Sequence, residues 1–150
     1  MTINSLSSQN LQTSIDSKLT IPPAWTGYSP LTGGITAIGN GSTSGSYSKL
    51  GKTVVFQCQL GTGSTTTYNG SLIKVSLPFT AVSQYALQAT FYNGINFYPI
   101  WCYASGDYAE LYAVNAASTY GILANVTGTV PVTLGASMRF YISGSYESTT

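Results

Sequence analysis

The sequence predicts an all-β fold, an antiparallel β-sandwich or jelly-roll-like domain over residues 25–150, preceded by a short extended N-terminal arm over residues 1–24. Three observations carry this expectation. Apolar and polar residues alternate with period two, Asn-Gly dipeptides punctuate the alternation, and about eight or more candidate strands recur roughly every 8 to 15 residues.

The arm is rich in Ser, Asn and Gln, with isolated apolar residues Ile3, Leu6, Leu11, Ile15 and Leu19. Leu11, Ile15 and Leu19 are four apart, a spacing that permits about two turns of amphipathic helix, too short to stand alone. Pro22 and Pro23 stop any helix and impose an extended segment. The arm is therefore expected to order against a partner, with those five apolar residues as its attachment contacts.

The clearest strand is 54–60, where Val54, Phe56, Cys58 and Leu60 face one side and Val55, Gln57 and Gln59 the other. Ile73, Val75 and Leu77 repeat the pattern against Leu72, Lys74 and Ser76, as do Met138, Phe140 and Ile142 against Arg139, Tyr141 and Ser143. Further strands are expected at 87–92, 97–104, 108–114 and 121–127. Asn40-Gly41, Asn69-Gly70 and Asn93-Gly94 tolerate the positive φ of tight hairpin turns and are expected to be such turns. Ala113, Ala116 and Ala117 leave a turn of helix or a loop equally open.

Composition excludes most chemistry. The chain has no histidine, so the common Ser-His-Asp and Cys-His nucleophile systems and histidine-ligated zinc are ruled out. Five basic and four acidic residues give a net charge of +1, which lacks the basic footprint that nucleic acid or an anionic membrane requires. Disorder is excluded as well, because 43% of the residues are hydrophobic and 12 are tyrosine. No stretch is long and apolar enough to span a membrane, and residues 1–10 lack the regions of a signal peptide, so a cytosol-like compartment is expected. Cys58 and Cys102 fit no disulfide framework or metal motif and read as buried core thiols.

Candidate sites are correspondingly few. Asp107 and Glu110 are the only close acidic pair, and at that spacing they read as turn charges on different faces rather than a glycosidase dyad or a calcium site. Gly61-Thr62-Gly63-Ser64 lacks the lysine of a phosphate loop and reads as a hairpin loop. The three Asn-X-Ser/Thr triplets at Asn40, Asn69 and Asn125 are expected by chance in a chain with 20 serines and 20 threonines. No catalytic residue, metal ligand or cofactor is expected. Tyr92, Phe97, Tyr98, Trp101, Tyr103, Tyr108, Tyr112 and Tyr120 crowd the second half of the domain, and three roles are open to them: core, sugar groove or subunit interface. Alternation sets Trp101 and Tyr103 opposite Ile100 and Cys102, and an outward aromatic face in a chain so poor in charge favours an interface built on Tyr98, Trp101, Tyr103, Tyr108 and Tyr112.

The order Trp25-Thr26-Gly27-Tyr28-Ser29-Pro30, Ile38-Gly39-Asn40-Gly41 and the run from Gly45 to Phe56, followed by Leu77-Pro78-Phe79 and Ser143-Gly144-Ser145-Tyr146-Glu147, resembles a domain of tailed-bacteriophage virion proteins, including tail-fibre tips and capsid-associated proteins. The resemblance implies a jelly-roll-like domain working as a homotrimer on the virion. Because the chain opens at Met1 with only a short arm, a capsid cement or decoration protein is expected. Such a subunit is made in the host cytoplasm and binds the major capsid protein on the capsid surface, and it is neither an enzyme nor a binder of nucleic acid or membrane. The alternative is a short tail-fibre or receptor-binding tip that holds a host-surface glycan.

Overall fold

The computed structural model describes residues 24–115 and 121–150. The five apolar arm residues and the alternatives at Ala116 and Ala117 lie outside the described residues. Within them the protein is an all-β, antiparallel, sandwich-like fold of twelve strands. These are β1 (Thr26–Tyr28), β2 (Thr32–Gly33), β3 (Ile35–Ala37), β4 (Ser42–Leu50), β5 (Thr53–Gly61), β6 (Thr67–Tyr68), β7 (Lys74–Ser76), β8 (Tyr85–Tyr92), β9 (Phe97–Ser105), β10 (Tyr108–Asn115), β11 (Ile122–Asn125) and β12 (Arg139–Glu147).

Ten strands form one sheet in the order β1-β4-β5-β12-β8-β9-β10-β7-β2, with β11 beside β7 on the free side of β10, while β3 and β6 pair separately. The sheet curls around a single core. Its inner face is dictated by the alternation: Val54, Phe56, Cys58 and Leu60 of β5 are buried, and so are Phe140, Ile142 and Tyr146 of β12 and Leu87, Phe91, Ile100, Cys102, Ala109 and Leu111 of the β8-β9-β10 meander. Phe91 stacks on Phe140 with ring centroids 4.7 Å apart, as expected for opposed aromatic residues on neighbouring strands. Val126 joins β7 to β10, since the Ile73 N–H donates to its carbonyl and its own N–H donates to the carbonyl of Leu111.

The turn chemistry differs from the expectation. Asn93-Gly94 lies in the four-residue connection of the β8-β9 hairpin, with Gly94 at φ 97°. Asn40-Gly41 and Asn69-Gly70 do not close hairpins, because β3 pairs with β6 rather than β4, and β7 pairs with β10 and β2 rather than β6. Asn40 instead pins a distant loop: its side-chain oxygen accepts from the Thr65 N–H at 3.0 Å and its own N–H donates to Thr65 Oγ1 at 2.8 Å. The tight hairpins are Leu50-Gly51-Lys52-Thr53 and Ser105-Gly106-Asp107-Tyr108, each with a positive-φ glycine at the first central position, the type II′ pattern.

Strand β4, Ser42–Leu50, was not anticipated as a strand. Its inward Gly45 carries no side chain because the facing volume is filled from β1: Tyr28 sits opposite Gly45, and its ring occupies the space a side chain there would need, while the inward Tyr47 packs against the core.

Candidate functional site

Asp107 lies in the β9-β10 turn, where its carboxylate accepts a hydrogen bond from Thr80 Oγ1. Glu110 lies on the outer face of β10, opposite Lys74 and Tyr103, and accepts from the Tyr112 hydroxyl at 2.9 Å. Each carboxylate is thus held by its own local partner. Among the described residues no group of three or more His, Cys, Asp or Glu side chains stands together to hold a metal ion.

Both cysteines are free and buried. Burial pushes the Cys58 thiol up to about 11, partly offset by its interaction with Tyr28, and pushes the Cys102 thiol up further. A thiol so far from its thiolate is a core hydrophobe, not a nucleophile. The Tyr28 hydroxyl is buried beside Cys58 with no hydrogen bond of sound geometry, and burial raises its pKa strongly.

The outward residues of β9 and β10 build the most distinctive surface. Trp101 opposes Tyr112, Tyr103 opposes Glu110, and Tyr103 and Tyr112 meet edge to face at 5.9 Å. Lys74 Nζ lies 4.1 Å from the centre of the Tyr108 ring, a cation–π contact that covers this charge. Trp101 is 52% exposed despite its size. Four of the five interface candidates therefore share one face. Tyr98 does not, because it has the parity of Ile100 and Cys102, and it stacks on Phe91 and packs against the core.

Sequence reasoning missed how far this face extends. Val114 of β10 opposes Leu123 of β11, and both are exposed, as is Phe97, which shares the parity of Trp101. The signal was the continued parity of 108, 110, 112 and 114, which places Val114 beside the tyrosines.

No protein-family model matches the chain, and neither the curated proteins nor the solved structures yield a significant match.

Proposed function

We propose that this chain is a non-enzymatic structural protein of a tailed-bacteriophage virion, a homotrimer that decorates the head and stabilises it by binding assembled major capsid protein. The single observation that supports this reading best is the outer face of β9, β10 and β11, where Trp101, Tyr103, Tyr112, Val114 and Leu123 stand together on well-paired strands. Exposed aromatic and aliphatic side chains on a rigid sheet suit a subunit contact, since they supply buried area at little cost in ordering. The resemblance of the Trp25–Phe56 and Ser143–Glu147 segments to virion domains supports the same class.

Attachment is assigned to the arm, through Ile3, Leu6, Leu11, Ile15 and Leu19. A protein that binds only the assembled lattice stabilises it by mass action, about 2.7 kcal/mol per site when its concentration is a hundred times Kd. The experiment is co-sedimentation with empty heads, followed by heating the heads, for the full chain and for a chain lacking residues 2–20. The full chain is expected to bind and protect, and the truncated chain to remain folded but detach. Binding to tails instead of heads would move the assignment to a tail-fibre tip, and equal protection by the truncated chain would overturn the role of the arm.

A further inference from the structure

The centre of the sheet carries a second outward feature. Residues of β4, β5, β12 and β8 line two adjoining cavities of about 510 and 530 Å³, each within the size range of small-ligand sites. Gln57, Gln88 and Ser143 border both, Gln59 and Tyr141 border the first, and Trp25 closes the second. The strand register makes this a continuous trough. Ser46 opposes Gln57, Gln57 opposes Ser143 and Ser143 opposes Gln88, and from this shared row the first cavity extends along the strands toward Gln59, Thr90 and Tyr141 and the second toward Val55, Ser145 and Trp25. From Gln59 to Val55, at about 3.3 Å per residue, the lining of β5 spans roughly 13 Å of this trough.

Its chemistry is specific. No Lys, Arg, Asp or Glu lines either cavity. Gln57 Nε2 donates to Ser46 Oγ at 3.2 Å, which uses one of its N–H groups, and the Gln59 and Gln88 side-chain amides make no hydrogen bond among the described residues. Each primary amide offers two donors and an acceptor in one plane, a match for neighbouring hydroxyls that both donate and accept. Trp25 at 53% exposure and Tyr141 at 37% supply aromatic faces at the two ends.

We propose that this trough binds a neutral oligosaccharide, laid along β5, β12 and β8 between Tyr141 and Trp25, with Gln57, Ser143 and Gln88 at its middle. An anionic polymer would require cations that the lining lacks. A peptide adding to the sheet would need unpaired strand edges, whereas β4, β5, β12 and β8 are paired on both sides. A second protein face pressed on the row would leave the glutamine amides desolvated unless it supplied a partner for each. The site is independent of head or tail location, so its failure would leave the assembly reading standing.

The test is chemical-shift mapping of the full-length protein with neutral hexamers of glucose, mannose, galactose and N-acetylglucosamine, with hexagalacturonate as the charged control. At least one neutral hexamer is expected to shift the side-chain amides of Gln57, Gln59 and Gln88 and the indole of Trp25. The Gln57→Ala/Gln88→Ala variant is expected to bind that hexamer at least tenfold more weakly, with unchanged mass by light scattering. If that variant misfolds, Trp25→Ala replaces it with the same expectation. No shift with any neutral hexamer, equal binding of hexagalacturonate, or a change in oligomer mass caused by the glutamine substitutions would each overturn the proposal.

Discussion

The hydroxyl of Tyr146 grips a single residue, Phe79, at both of its backbone groups, donating to the carbonyl at 2.8 Å and accepting from the N–H at 3.1 Å. Strand β12 is thereby tied to the connection between β7 and β8, whose Phe79 packs against the core. Tyr146 is only 2% exposed, and its ring meets Phe56 at 5.7 Å.

Tyr146→Phe keeps the ring and removes both bonds, leaving two backbone groups of Phe79 unpaired. A loss of about 1–3 kcal/mol is expected. Urea unfolding measures it, and a loss under about 0.5 kcal/mol, no larger than an ordinary surface substitution, would show that water replaces the hydroxyl at no cost.

Gly45→Ala tests the docking of β1. A Cβ at Gly45 would lie 2.8 Å from Tyr28 Cζ and 2.9 Å from Cδ1, both in a ring packed on the core. Overpacking of this kind costs about 1–3 kcal/mol. The penalty should shrink in a Tyr28→Ala background, because the clashing ring is gone. A double-mutant cycle on thermal unfolding checks this, and strict additivity would contradict the contact.

Alkaline pH should destabilise the fold. Burial pushes Cys58 up to about 11 from an ordinary value of 9, and Tyr146 up to about 12 from 10, the latter partly lowered by its bond to Phe79. Between the ordinary and raised values the unfolded chain releases protons that the folded chain retains, so stability falls as pH rises. The contribution is present in full below pH 9 and is lost progressively above it. Urea midpoints measured in steps from pH 7 to 11 should therefore be level at first and then decline. At pH 8 neither thiol should react with a disulfide reagent until the protein is unfolded.

The outer aromatic face should govern association. Trp101→Ser with Leu123→Ser removes exposed apolar area and touches no core residue, so stability should change by under about 1 kcal/mol. Light scattering should report the proposed trimer for the parent chain and a monomer for the variant at tens of micromolar. An unchanged trimer would place the subunit contact elsewhere.

Where one face of a strand is apolar and the other polar, the fold was legible: β5 and the Phe140–Ile142 stretch of β12 read correctly residue by residue. Strand β4 was not, because its inward Gly45 is small to admit Tyr28, a residue of another strand. Two Asn-Gly pairs misled for a related reason, since a dipeptide reports a local preference while the pairing partner is chosen by distant strands. The polarity of Gln57, Gln88 and Ser143 was readable, but their alignment in one row was not. It follows from β12 pairing with both β5 and β8, a register no short window contains.

That placement of β12 also governs the order of assembly. The β4-β5 hairpin and the β8-β9-β10 meander are each built from close sequence neighbours, yet among the described strands the sheet joins them only through β12, which is synthesised after all five. Until β12 leaves the ribosome, β5 and β8 each present a naked edge backed by an oily face, the arrangement most prone to sticking to other nascent chains. Loop-closure entropy makes the joining step slow, so an amber stop ahead of Arg139 should yield insoluble protein rather than a smaller soluble domain.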